Sequence, residues 1–236
     1  MIKNLDWESK FFKISCAEIS DYEQLVSNRT IKEYDWVQGK ALVGDRKRIS
    51  FYEDLGFKFE DLRLSLHKTN LIKTTEQYHT YNIRKAEIND NKSISDIAEA
   101  ELIESSRFIA LVGTVKTKYF YRKWVENAIV GIYDDFCYVI ENEAKITGFI
   151  TLKKNQNKLE IRLLAIEKKF HSRGFGKSLI SFAENLALTL QCNSLSVISA
   201  GKNMKATQFY INSGYNIEKI ESWYYLKSVP ASKYMN

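Results

Sequence analysis

The stretch FYEDLGF, Phe51 to Phe57, returns as FYINSGY, Phe209 to Tyr215, and the two tyrosines stand 158 positions apart. In each copy apolar residues at helical spacing run up to a glycine, and an alternating, aromatic-rich strand pattern follows. Gly56 and Gly214 are placed to end the helices, and Asn203 to cap the second one at its start. The agreement is wider than seven residues. Residues 21 to 67 read helix, strand, helix, strand, and so do residues 177 to 227. A chain with this order is a half-copy followed by a fuller module. A chance likeness between two helix-to-strand junctions is the alternative.

With 236 residues the chain holds one domain or two unequal ones, at roughly 100–200 residues per domain. The expected division is a half-module at 1–70, a polar, Thr-rich linker at 71–80, a complete module at 81–228 and a tail at 229–236. In the first part ISCAEI reads as a strand, DYEQLVSNRTIKEYDWV as an amphipathic helix, ALVGD as a short buried strand, RKRISFYEDLG as a helix and FKFEDLRLSLHK as a strand. After the linker come a strand at YNIRKAEI, helices at SISDIAEAELIESS and Phe120–Ala128, and three strands within residues 136–166 separated by ENEA and KKNQNK. The helix KSLISFAENLALTLQ, the strand SLSVIS, the helix NMKATQFYINSG and two closing strands, YNIEKI and SWYYLK, complete the chain. The fold class is therefore mixed α/β (α+β), a mostly antiparallel central sheet flanked by helices.

Several function classes find no support. Cys16, Cys137 and Cys192 form no ligand cluster, and His67, His79 and His171 are scattered, so neither a metal centre nor a disulfide framework is expected. No apolar run reaches the ~18 residues of a membrane span, and the first residues lack a signal peptide's apolar stretch, which makes a cytoplasmic protein the expectation. A net charge of +6 suits an anionic partner. Its lysines are dispersed rather than striped, so nucleic acid is not the expected partner.

HSRGFGKS, His171 to Ser178, lies between the strand ending at Ile166 and a strongly periodic helix. Glycines at 174 and 176 let the backbone approach a ligand, and the helix start directs free N–H groups and its positive dipole end at the loop. Such a site suits a pyrophosphate.

Here the sequence resembles the GNAT family of N-acetyltransferases. The family's loop pattern, Arg/Gln-x-x-Gly-x-Gly/Ala, is similar to HSRGFG with His171 in the first place, and its Asn-x-x-Ala-x-x-x-Tyr pattern is present as Asn203, Ala206 and Tyr210, followed by Gly214 and Tyr215. The resemblance covers roughly residues 80 to 227 and makes the first part a truncated half-GNAT module. LDWESKFF, Leu5 to Phe12, and SSRF, Ser105 to Phe108, look like segments of the bacterial dTDP-fucosamine acetyltransferases, which also carry a truncated half-module before the catalytic one. LDWESKFF also fits a packing element kept by relatives with other substrates. The resemblance implies acetyl-CoA as co-substrate, no metal, a nucleotide-linked 4-amino sugar as acceptor, and a possible homodimer. Acetylation of another small amine or a protein amino terminus, and a non-catalytic acyl-CoA sensor, are the other readings.

Acetyl transfer from a thioester needs a neutral amine, a donor for the oxyanion and a proton for the departing thiolate. Strand LEIRLLAI, splayed near Leu164, Ala165 and Ile166, would leave backbone groups for the pantetheine arm. His171, Ser172, Arg173, Gly174, Phe175, Gly176, Lys177 and Ser178 would hold the pyrophosphate, and Asn203 and Ala206 the arm. Tyr210 is the candidate acid, since a phenol with pKa near about 10 keeps its proton at neutral pH; the alternative is a core tyrosine. Glu160 is the candidate base, or an exposed strand residue. Arg107 suits a nucleotide pyrophosphate, and Trp223 either lines the acceptor pocket or belongs to the core. Freeing a lysine amine at pH 7 costs roughly 4.6 kcal/mol. An amino-sugar amine is less basic, so a weakly defined base fits a sugar better.

Overall fold

The computed structural model of the chain describes residues 1–20, 28–73 and 81–228. The first part contains β1 (Ile2–Asn4), α1 (Asp6–Phe12), β2 (Cys16–Ile19), α2 (Asn28–Ile31), β3 (Trp36–Leu42), α3 (Arg46–Asp54) and β4 (Lys58–Lys68). The second contains β5 (Asn82–Lys85), α4 (Asn91–Glu101), α5 (Ile109–Ile129), β6 (Phe136–Asn142), β7 (Lys145–Asn155), β8 (Lys158–Ile166), α6 (Phe175–Thr189), β9 (Ser194–Ala200), α7 (Met204–Asn212) and β10 (Asn216–Lys227). All the strands join one sheet in the order β1-β2-β3-β10-β4-β9-β8-β7-β6-β5. Pairing is antiparallel except at β2–β3 and β8–β9. Among the described residues no helix is long and apolar enough to cross a membrane.

The repeat is real in three dimensions. β3, α3 and β4 recur as β9, α7 and β10 with an offset of 158 positions. Even the helix caps correspond: the Asp45 carboxylate accepts from the Arg48 N–H at 3.1 Å, and the Asn203 amide oxygen from the Ala206 N–H at 3.1 Å. The two copies do not lie side by side. β10 is inserted between β3 and β4, while β4 is inserted between β10 and β9, so each copy's last strand fills the gap in the other. The β4–β10 ladder runs from His67 opposite Asn216 to Lys58 opposite Tyr225, a register that maps onto itself when the copies are exchanged. At its centre Arg63 faces its own counterpart, Glu221, in a 2.7 Å ion pair. The two closing strands expected from sequence are one strand, β10, interrupted by irregularities at Ile217/Lys219 and Trp223/Tyr224. The half-module at 1–70 and the module at 81–228 thus share a sheet rather than forming two, and most of the linker and the tail lie outside the described residues.

One further expectation is displaced. ALVGD is not the buried strand: β3 begins five residues earlier, at Trp36, and Leu42 and Val43 are exposed. Of the helix expected at residues 21–37, residues 21–27 lie outside the described residues, Asn28–Ile31 is helical, and the rest is a turn leading into Trp36 and Val37 of β3. β3 is buried through Trp36, Val37, Gln38, Gly39 and Ala41 because helix α3 lays Tyr52 across it. A β-carbon at Gly39 would stand 2.4 Å from the Tyr52 ring, so only glycine allows the contact.

Helices α4 and α5 cover one face of the sheet over Val139, Phe149, Leu163 and Ala165. α6 covers the other over Ile140, Ile150, Leu159 and Ile161. LDWESKFF forms α1, whose Trp7 and Phe12 pack on Phe120 of α5 at 4.6 and 5.4 Å between ring centres. Its aromatic residues pack on α5.

Candidate active site

The parallel ladder between β8 and β9 ends at Ile161 opposite Val197, although β8 continues to Ile166 and β9 to Ala200. Past that point the strands part, and Leu164, Ala165 and Ile166 border the gap, where the sequence placed the splay. Leu163 and Ala165 pack with α4 and α5, and Leu164 and Ile166 with α6. The facing edge of β8 is left without a ladder partner there, so its backbone can pair with an extended ligand.

The loop following β8 leads into α6. Ser172 and Gly174 take positive φ values of 59° and 91°, and alternation of this kind turns successive N–H groups toward one side, an anion-binding concavity at a helix start. Around Gly174 the nearest atoms to a β-carbon are those of Tyr81 at 4.0 Å, so the constraint there is the dihedral angle, with space left on the outer side. Gly176 answers a different need: a β-carbon would press Phe209 of α7 at 3.1 Å. That glycine sets how closely α6 and α7 approach. Tyr81 stacks on Phe175 at 3.9 Å and donates to the Arg173 carbonyl at 2.7 Å, bracing the loop from outside. His171 does not face the concavity with both nitrogens, because Nε2 lies 2.7 Å from the Ile166 carbonyl. A carbonyl only accepts, so Nε2 carries the proton. Arg173 and Lys177 are exposed, and Ser178 is buried with its hydroxyl donating to the Gly174 carbonyl at 3.3 Å.

Tyr210 sits in the α6-side cluster beside the gap, buried, with its pKa raised by desolvation. Its hydroxyl makes no hydrogen bond to any described residue. Tyr52, its counterpart, is held on both sides, accepting from Arg48 Nε at 3.1 Å and donating to the Lys40 carbonyl at 3.3 Å. One tyrosine is tied into the fold; the other's O–H has no partner among the described residues. Asn203 uses both ends of its amide, since besides capping α7 it donates to the Ser105 hydroxyl at 3.1 Å. It therefore ties α7 to the segment before α5, with both ends of its amide engaged. Glu160 precedes the last paired residue of β8. Its carboxylate accepts from Asn155 at 3.3 Å and lies 3.6 Å from Arg162, so it is already engaged.

Arg107 and Trp223, singled out separately, come together. The Arg107 guanidinium lies 4.2 Å from the Phe108 ring centre and 4.6 Å from that of Trp223, and it donates to Gln38 at 3.2 Å and to the Tyr225 hydroxyl. Burial raises the Tyr225 pKa to about 12, with Arg107 opposing.

The residue that sequence reasoning missed is Asp61. It is Trp223's ladder partner and is buried, and its Oδ1 accepts from the Leu62 and Lys202 N–H groups at 2.8 and 3.3 Å. Its Oδ2 is buried with no hydrogen-bond partner among the described residues, and Lys202 forms an ion pair with it at 3.9 Å. Unsatisfied buried oxygens are uncommon and costly, and this one can accept from a donor. Paired residues share a face of a ladder. Asp61 thus lies with Trp223 on the α5 side, whereas Tyr210 belongs to the α6 side.

Residues 100–215 match the family model described as the acetyltransferase (GNAT) family. A dTDP-fucosamine acetyltransferase from Escherichia coli is 26% identical over 230 residues, covering 95% of this chain and 97% of that protein. A GCN5-related N-acetyltransferase from Sphaerobacter thermophilus shares the fold with a TM-score of 0.57 at 11% identity, over 83% of this chain and 60% of that one. The PaiA N-acetyltransferase from Thermoplasma acidophilum, solved in complex with coenzyme A, matches with a TM-score of 0.52 at 19% identity, over 63% of this chain and 99% of that one.

Proposed function

We propose that this chain, which belongs to the GNAT acetyltransferase family through its domain at residues 100–215, transfers the acetyl group of acetyl-CoA to the 4-amino group of a nucleotide-linked amino sugar. The pyrophosphate of acetyl-CoA lies on the 171–178 loop and the start of α6, and its pantetheine arm pairs with the free edge of β8. The thioester is thereby set in the gap, with one face of the sheet on either side. The amine approaches from the α5 side, where Asp61 Oδ2 accepts its N–H and takes the proton released as the C–N bond forms. Tyr210, on the other side, gives its proton to the sulfur as the C–S bond breaks. Both protons are then accounted for without a metal.

The observation that carries the acceptor reading is the pairing of Asp61 with Trp223, over whose ring Arg107 lies: a carboxylate oxygen with no hydrogen-bond partner among the described residues, on the same face as an aromatic ring and a guanidinium. Sugars offer ring faces to aromatic side chains, and phosphates match the guanidinium fork. The full-length likeness to a dTDP-fucosamine acetyltransferase extends through the first copy, which supplies Asp61, and supports the same reading. A thiol-release screen with acetyl-CoA tests it, using nucleotide amino sugars, free amino sugars, polyamines and lysine peptides. Turnover is expected with a dTDP-linked 4-amino-4,6-dideoxy sugar and far less with peptides. Robust peptide acetylation with no activity on any nucleotide sugar would defeat the proposal.

A further inference from the structure

Three cations converge on residues 106–110, at the start of α5. The Lys202 ammonium donates to the Ser106 carbonyl at 3.2 Å, the Lys227 ammonium donates to the Ala110 carbonyl, and Arg107 lies between them in sequence. None of the three donates a hydrogen bond to a carboxylate among the described residues; their hydrogen-bond partners are carbonyls, an amide and a phenol, and Lys202 also forms a longer ion pair with Asp61 at 3.9 Å. One carboxylate feels all three charges, that of Glu60. Glu60 is the unpaired residue of the irregularity in β4 between Phe59 and Asp61, where the ladder partners are Tyr224 and Trp223. Bulges re-aim side chains and recur beside active sites. The Glu60 carboxylate forms neither a hydrogen bond nor an ion pair with any described residue, and desolvation raises its pKa despite the surrounding cations.

We propose that Arg107, Lys202 and Lys227 form the subsite for the acceptor's diphosphate, with Glu60 as the fixed negative charge that the diphosphate must compete against. This rests on the nucleotide amino-sugar reading above. Arg107 and Lys227, held by neutral oxygens, exchange those partners for phosphate oxygens at little cost in pairing, Lys202 does so while staying within 3.9 Å of Asp61, and charge-assisted bonds to phosphate are the stronger ones. Lys202, the cation beside Asp61, takes the phosphate nearest the sugar; Arg107 and Lys227 take the outer one. Neither lysine nor Glu60 stands out in sequence, since each resembles any charged residue at a strand end.

Calorimetry with dTDP as the probe tests the subsite, in the presence of saturating coenzyme A so that the pyrophosphate loop of α6 is occupied. Lys202→Ala and Lys227→Ala are each expected to raise the Kd for dTDP by roughly tenfold, the effect of about 1.4 kcal/mol, and to leave coenzyme A affinity unchanged. Glu60→Gln is expected to lower the Kd several-fold. Damage to the fold weakens binding, so a tightening identifies the charge itself. Wild-type affinity for dTDP in all three folded variants would overturn the subsite while leaving acetyl transfer to nucleotide sugars standing in the turnover screen. Absence of dTDP binding by the wild-type protein would also overturn it, and turnover of a free amino sugar would then show whether the acetyl-transfer reading survives.

Discussion

Replacing Tyr210 with phenylalanine is expected to cut turnover by roughly 10²–10⁴-fold while leaving acetyl-CoA affinity nearly unchanged. The substitution keeps the ring and its packing against Tyr215, at 5.4 Å between centres, and removes only the O–H. That hydroxyl makes no bond to a described residue, so its loss costs the fold little. Tyr52→Phe is the matched control, because the counterpart ring occupies the same place in the first copy. Its effects should be reversed: the hydroxyl it removes bonds Arg48 and the Lys40 carbonyl. We expect a loss of about 1 kcal/mol in stability, the usual worth of one such bond. Turnover should change little, because the Tyr52 ring already fills the surface of β3 at Gly39. Stopped-flow or steady-state thiol release, with urea denaturation of each variant, checks both halves. Equal damage to turnover by the two substitutions, in equally stable proteins, would contradict the division of roles.

Deleting residues 1–70 is expected to abolish the fold, not merely to trim it. β10 pairs with β3 on one edge and β4 on the other, so the deletion strips it of both neighbours and leaves β9 with no partner on the β4 side. Leu64 and Leu66 leave the α6-side core at the same time, and the nearly buried Glu221 loses Arg63 and keeps only the more exposed Lys219 as its ion-pair partner. Asp61 is lost as well. The expected outcome is insoluble or unfolded protein with no acetyl-CoA binding, read by circular dichroism and calorimetry, and recovery on co-expression of residues 1–70 as a separate chain. A soluble, active fragment starting at residue 71 would show that the first copy is a dispensable appendage.

The repeat was legible because it rests on local signals. Caps, helix periodicity and terminal glycines are written within a few residues of each other, and they hold from Asp45 to Gly56 as they do from Asn203 to Gly214. The glycine loop was legible for the same reason, and the splay expected near Leu164 and Ala165 lies past the end of the β8–β9 ladder at Ile161. What depends on distant pairing was not. Nothing near β4 or β10 says that each is inserted into the other copy, and this insertion decides which residues meet. β3 was misplaced because its polar Gln38 and Lys40 interrupt the apolar run, and because the ring that buries its other face arrives from Tyr52. Asp61 reads as the polar member of an alternating strand. Its significance lies in an oxygen left unpartnered, and the irregularity at Phe59–Asp61 shifts the alternation just before it. Glu160 attracted attention because it is a carboxylate on the right strand, but Asn155 and Arg162 already engage it.

The account places the reacting amine between a carboxylate from the first copy and a phenol from the second, and Asp61→Asn tests this directly. The amide keeps the size of the side chain and an oxygen for the Leu62 and Lys202 N–H groups, but it cannot take a proton. With a dTDP-linked 4-amino sugar as acceptor, kcat/KM is predicted to fall by roughly 10²-fold or more, with acetyl-CoA affinity and thermal stability close to wild type. An Asp61→Asn protein that is equally folded and acetylates the same sugar at the wild-type rate would contradict it.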